Sequence, residues 1–282
     1  MKTIYLAGSV NGKKWDVVPK HPYVEYVSSD GWKHSEHKWS NGNKEFGDPQ
    51  LQAELNERFI AKIKSCDAMF AYLDTPFSYG SIAEIAYASA INVPVWMVIN
   101  TRYDREKERA TSEDNEWTWE DTWKVGSMND AYWFVSNFPG VHAVEKLWDH
   151  NNVGGAGFVF QRFLGFVLAE SEVEIRLWNE ILGNMQLRLE LGYELPTPQY
   201  PLNGYRLDFA LPDYKLAVEV DGHDYHKTKE QRSSDAKRDR SLLKQGWTTL
   251  RFTGSDVYRN AEGVVNEIAD ILKNMKTQPE AA

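Results

Sequence analysis

The sequence predicts an α/β protein of two domains, and three observations predict it. The 282 residues exceed the usual size of one domain. Over residues 1–150 short apolar runs alternate with helix-periodic windows, the pattern of a parallel sheet with helical crossovers. Beyond residue 171 the order changes: helix, strand–turn–strand, then helix–strand–helix.

Lys2–Ala7 reads as the first strand and Gly8-Ser9-Val10-Asn11-Gly12 as the loop after it. Gln50–Lys64 has helical spacing through Leu51, Leu55, Phe59, Ile60 and Ile63. Ala68–Leu73 is a second strand, Ser81–Ala90 a short helix opened by Tyr79-Gly80, and Val93–Ile99 a third strand. Residues 101–125 interleave Trp117, Trp119 and Trp123 with acids, which suits a lid packed by its own tryptophans better than a platform for bases. Asp130–Phe138 looks helical and Val141–Val144 strand-like. Asn151-Asn-Val-Gly-Gly-Ala-Gly157 is the best linker candidate. Phe158–Leu191 reads as helix, broken near Glu170-Ser171, where Ser171-Glu-Val-Glu174 fits a capping box. A helix over Glu230–Gln245, a strand over Thr248–Phe252 and a helix over Ser255–Lys273 close the chain. The first domain is placed at 1–150, a linker or connecting helix at 151–170, and the second domain at 171–282.

A hydrophobic share of 42% and a charged share of 26% describe an ordinary globular protein. The single cysteine, Cys66, excludes an internal disulfide framework and a cysteine zinc site. Neither a signal peptide nor a membrane-length apolar run is present, so a cytoplasmic protein without a membrane partner is expected. A net charge of −9 argues against DNA binding by the whole surface. A local track remains: seven basic residues lie between Lys227 and Lys244, among three acids. That track is either a solvated helix face or a nucleic-acid contact.

The most informative segment is Tyr205-Arg-Leu-Asp-Phe-Ala-Leu-Pro-Asp-Tyr-Lys-Leu-Ala-Val-Glu-Val-Asp-Gly222. It reads as two strands joined by a turn near Pro212-Asp213-Tyr214. Alternation puts Leu207, Phe209, Leu211, Leu216, Val218 and Val220 on a core face, and Arg206, Asp208, Glu219 and Asp221 on the other. A turn centred near Asp213 sets Asp208 across from Glu219, within about 5 Å between Cβ atoms. Two carboxylates so placed repel unless a cation lies between them, and hard oxygen ligands suit Mg²⁺ or Mn²⁺. The alternative is a solvated hairpin face.

Read with its flanks, the segment becomes an ordered series. Glu174 stands ahead of Leu177-Trp178, then come Pro198-Gln199, Leu207-Asp-Phe209, Val218-Glu-Val-Asp-Gly222, His226, and Gly246-Trp with Leu250-Arg-Phe252. The series resembles the PD-(D/E)XK nuclease superfamily, most of all its very-short-patch-repair-like branch, over residues 171–272. The resemblance implies a restriction-endonuclease-like α/β domain that hydrolyses DNA. Asp208, Glu219 and the Val220 carbonyl would hold Mg²⁺ or Mn²⁺, and Glu174 would reach the ion directly or through water. The ion would activate water for in-line attack on phosphorus. Asp221 stands where the family's lysine is expected, so it could bind a second cation but cannot supply positive charge. His226, Lys237 or Arg238 could supply it, and Gln199, Lys237, Arg238 and Arg240 would contact the nucleic acid. Glu174 has a capping role as its alternative, and His223 and His226 a plain loop role.

A second series runs through Ile4-Tyr-Leu-Ala-Gly-Ser9, Cys66-Asp67, Tyr72-Leu-Asp74 and Gly80-Ser-Ile-Ala-Glu-Ile-Ala-Tyr-Ala88. It resembles the nucleoside 2-deoxyribosyltransferase-like fold, a flavodoxin-like parallel-sheet domain. The resemblance implies that Glu84 attacks the anomeric carbon of a nucleoside. Tyr5, Gly8, Ser9, Asp74, Gly80 and Ser81 would form the pocket, and His34, Glu36 and His37 could line it. Ser81-x-x-Glu84 is equally a capping box.

Three functions follow. The first is a metal-dependent endonuclease whose N-terminal domain binds or cleaves a nucleoside or nucleotide, a gated effector of the kind used in phage defence. The second is a glycosidase or deoxyribosyltransferase acting through Glu84 on a nucleoside, NAD or a modified base, with the C-terminal domain holding DNA. The third is a nucleotide-sensing module without turnover. Expected partners are DNA and a nucleoside or nucleotide; homo-oligomerisation is left open.

Overall fold

The computed structural model describes residues 1–8, 18, 20–28, 49–73, 79–100, 135–147, 153–192, 194–221 and 229–277. Met1–Val159 and Phe160–Ala282 form two compact units. Ser9, Asp74, Gly222, His223, His226, the Trp32–Trp39 segment and the tryptophan-rich stretch 101–125 lie outside the described residues.

The first unit is built on β1 (Lys2–Gly8), β2 (Val24–Ser28), β3 (Ala68–Leu73), β4 (Val95–Asn100) and β5 (Val141–Leu147). All four pairings are parallel and the strand order is β2-β1-β3-β4-β5. Ile4, Tyr5, Leu6 and Ala7 are buried in succession, as are Ala68, Met69, Phe70 and Ala71. Continuous burial without alternation marks strands covered on both faces. The helices α1 (Pro49–Ser65) and α2 (Tyr79–Ala90) lie between strands in the chain, and Ile63 of α1 and Ile85 and Ala88 of α2 join the core. β2 was not anticipated from the sequence; Val-Glu-Tyr-Val-Ser is short and only its first residue is fully buried.

The second unit receives the chain through α3 (Val153–Leu168). Within the linker or connecting helix expected at 151–170, Val153–Gly157 is already helical. Its glycines lower helix propensity by about 1 kcal/mol each, but the apolar run that follows carries the helix into a core at Phe160, Phe163 and Leu164. Next come α4 (Glu172–Gly183) and α5 (Met185–Glu190), so the expected helical stretch is broken in two places rather than one. Ser171 is the N-cap of α4 and Asn184 that of α5, each side chain accepting a backbone N–H. Val173, Leu177, Trp178 and Ile181 form the buried stripe of α4.

The sheet of this unit is β6 (Thr197–Leu202), β7 (Tyr205–Leu211), β8 (Leu216–Asp221) and β9 (Thr248–Thr253), in that order. β6, β7 and β8 pair antiparallel, and β8 pairs parallel with β9. Pro198 and Pro201 are tolerated because β6 is an edge strand. Asn203 and Gly204, both at positive φ, make a tight β6–β7 turn. The β7–β8 turn is a 3-10 turn over Pro212–Tyr214, released by Lys215 at φ +47°. Between β8 and β9 runs α6 (Lys229–Lys244), and α7 (Gly254–Thr277) closes the unit against α4 and α5. No helix among the described residues is long and apolar enough to cross a membrane.

Candidate functional site

A single row of polar side chains crosses the second sheet. Pro198 pairs with Phe209 and Tyr200 with Leu207, which sets Gln199 opposite Asp208. Phe209 pairs with Val218, so one further step of that register sets Asp208 opposite Glu219. Glu219 pairs with Arg251. The row Gln199–Asp208–Glu219–Arg251 therefore spans all four strands. It is not the solvated face that alternation alone predicts, because Glu219 is only 4% exposed and Gln199 2%.

The N-terminus of α4 brings in Glu174, which is buried. Ser171 Oγ donates to Glu174 Oε1 at 2.8 Å and accepts from its N–H, while the Glu170 N–H donates to Oε2 at 3.0 Å. Glu174 is thus a cap and a member of the site at once, since its charge raises the Asp208 carboxyl. Gln199 is corrected from its expected contact with nucleic acid. It is buried and its amide donates to Glu174 Oε2 at 2.8 Å.

Two arginines supply the positive charge. Arg238 Nη2 donates to Glu219 Oε1 at 2.6 Å and to the Arg206 carbonyl at 2.8 Å, with its guanidinium over the Tyr205 ring. Arg206 itself pairs with Glu170. Arg251 Nη1 lies 3.6 Å from Asp221 Oδ1 and its Nη2 2.6 Å from Asp239 Oδ1. Asp221 thus engages an arginine from β9. Arg251 was missed in the sequence reading, although an arginine inside the apolar run Leu250-Arg-Phe252 is a signal that could have found it. Lys237 and Arg240 are exposed on α6 and belong to no ion pair among the described residues.

Burial pushes Asp208 up to about 6; the Val220 N–H, donating to Oδ2 at 2.8 Å, opposes this, and the Glu174 charge adds to it. Burial and then the Asp208 charge push Glu219 up to about 7, against the pull of Arg238 and Arg251. Both carboxyls therefore sit above their unfolded values. The stability they confer is complete below about pH 4 and is lost as pH rises through about 6 and 7. Asp208 and Glu219 together are expected to cost metal-free protein about 4 kcal/mol between pH 5 and pH 8 in urea titrations, with Glu84 adding to the loss. Glu219→Gln should remove much of that loss. An unchanged pH dependence in this variant would show that Glu219 is not so placed.

Among the described residues no three His, Cys, Asp or Glu side chains form a ready metal cage. The donor set nevertheless fits a hard divalent cation. The hydrogen bonds engage Asp208 Oδ2 and Glu219 Oε1, leaving Asp208 Oδ1 and Glu219 Oε2 without a hydrogen bond among the described residues. Val220, whose N–H donates to Asp208, follows Glu219 directly in the chain.

The first unit holds another paired carboxyl. The strand order reverses between β1 and β3, and ligands of such sheets bind at the carboxyl ends beside that point. Gly8 ends β1 there, and Gly80 and Ser81 open α2. The fully buried Tyr5 donates its hydroxyl to Glu84 Oε1 at 2.7 Å, and burial lifts Glu84 to about 7. The capping-box alternative is not realised, because α2 begins at Tyr79 and Ser81 lies inside it.

The second unit contains a restriction-endonuclease-like domain: the family model REase_MTES_1575 matches residues 185–272. The chain belongs to that family. An uncharacterized protein of Haemophilus influenzae is 36% identical over 108 residues, which make up 38% of this chain and 84% of that protein. YcjD of Escherichia coli is 33% identical over 81 residues, 29% of this chain and 67% of its own length. Rv2248 of Mycobacterium tuberculosis is 33% identical over 86 residues, 29% of this chain and 32% of its own length. No solved structure matches the chain.

Proposed function

We propose that the protein is a Mg²⁺- or Mn²⁺-dependent DNA endonuclease. The observation that carries this reading is the buried Asp208–Glu219 pair in a restriction-endonuclease-like domain, with one oxygen of each carboxylate left for a cation. Asp208, Glu219 and the Val220 carbonyl would hold the ion, and Glu174 would reach it directly or through water. When bound, the ion supplies Lewis-acid activation of water and stabilises charge on the phosphoryl group. The chain does the rest. Arg238 neutralises Glu219 and holds it against β7. Asp221 and Asp239 orient Arg251 beside Glu219, so positive charge reaches the site from β9 and α6 although Asp221 replaces the family's lysine. Lys237 and Arg240, exposed on α6, suit phosphate contacts outside the centre.

Incubation of the protein with supercoiled plasmid and with single-stranded DNA tests the reading. Cleavage in Mg²⁺ or Mn²⁺ and none in EDTA is the expected result. Cleavage undiminished by EDTA, or none with either metal, would refute it.

A second reading rests on the Tyr5–Glu84 pair in the parallel sheet of the first unit. In it the N-terminal unit binds a nucleoside or nucleotide, and Glu84 attacks the anomeric carbon or holds the sugar. Glu84→Gln should then abolish release of free base or nicotinamide while plasmid cleavage stays measurable. Base release at the wild-type rate by that variant would remove Glu84 from the role. Nucleotides added to the plasmid assay test for a gated nuclease, the form a defence effector would take: a rate that responds to one nucleotide supports gating, and a rate indifferent to all of them contradicts it.

A further inference from the structure

Gln199 brings together features that pairing in an edge strand does not require. It is 2% exposed. Its φ of +48° lies in the left-handed region, which is uncommon and strained for a residue with a side chain. In the span Thr197–Leu202 it is the residue that drops out of the ladder, at the position facing Asp208. Its amide is turned onto Glu174 Oε2 at 2.8 Å.

Among the described residues the Glu174 carboxylate takes hydrogen bonds from three groups. The Ser171 hydroxyl and the Glu170 N–H come from the cap of its own helix. Gln199 comes from the sheet that carries Asp208 and Glu219. It is therefore the donor that ties the helix end to the row. As a neutral amide it does so without cancelling the carboxylate charge, which an arginine or lysine in its place would do.

We propose that Gln199 is a positioning residue: its amide fixes the Glu174 carboxylate beside Asp208, so that the cation site is assembled before the cation arrives. The backbone strain at Gln199 is what aims the amide. This assignment rests on the nuclease reading and removes Gln199 from the DNA-contacting set.

The test is Mn²⁺ binding by calorimetry to the full-length chain, with melting temperature in EDTA measured alongside. Gln199→Met keeps the volume and removes the amide. Gln199→Gly removes the amide and also relieves the left-handed backbone. Mn²⁺ affinity should fall about ten- to hundredfold in both, the usual loss for a partner behind a metal ligand. Gln199→Gly should melt no lower than Gln199→Met, which separates loss of the site from loss of the fold. Gln199→Gly that binds Mn²⁺ within about threefold of wild type overturns the proposal, whether or not Gln199→Met folds. Wild-type protein that binds no Mn²⁺ overturns the proposal and the nuclease reading together, and the two failures are told apart by which protein fails.

Discussion

Glu219→Ala is expected to lower Mg²⁺-dependent DNA cleavage by about 10³-fold, the upper end of what one electrostatic contact at a reacting centre is worth. Glu219 is the most buried carboxylate of the row and faces Asp208 on one side and Arg251 on the other. Removing it takes away a cation ligand and leaves Arg238, held by the Arg206 carbonyl, without its acidic partner. The Arg238 charge would then stand uncompensated by Glu219 where a cation should bind. Binding of DNA in EDTA should hold or tighten, because a negative charge has been lost. Wild-type cleavage by this variant would show that the site is elsewhere.

Trp178→Ala carries the largest expected cost to stability, about 3–5 kcal/mol, the range for emptying a buried aromatic site. The indole is fully buried and stacks on Phe209, with ring centroids 5.6 Å apart and planes 2° from parallel. Its Nε1–H donates to the Arg162 carbonyl at 3.0 Å. Gly165 makes room for it, since a Cβ there would lie 2.0 Å from Trp178 Cε2. Phe209 adjoins Asp208 on β7, so the same contact that stabilises the core steadies the row. Denaturant titration should show the loss, which is large against a total of about 5–15 kcal/mol. A loss under about 1 kcal/mol would mean the indole is not a core group.

Much of this was legible in the sequence. A turn near Asp213 and strict alternation were enough to place Asp208 against Glu219, because the register of a hairpin follows from its turn. The parallel sheet of the first unit was legible through its apolar runs. Glu174 and Arg238 entered through the resemblance, but the burial of the row did not show in the sequence. Whether a polar face is solvated depends on what packs over it, and that is set by elements distant in sequence. Gln199 stood out in the series, but its backbone gave no signal, because a left-handed glutamine is imposed by tertiary contacts rather than by residue type. The glycines at 154, 155 and 157 read as a linker, yet Val153–Gly157 is helical, because propensity yields to burial further along a helix. Ser81-x-x-Glu84 fitted a cap only if α2 began three residues later than it does, and helix ends are where periodicity is least informative. Asn203-Gly204, by contrast, is a strong hairpin signal that was available and went unread.

Whether Asp208 and Glu219 hold a divalent cation is tested most directly in crystals of the 282-residue chain soaked in Mn²⁺, through the anomalous difference map. The expected result is a peak about 2.0–2.6 Å from one oxygen of each carboxylate, the range for hard cations. A map from the same soak with no peak between them, and Arg238 still on Glu219, would contradict it.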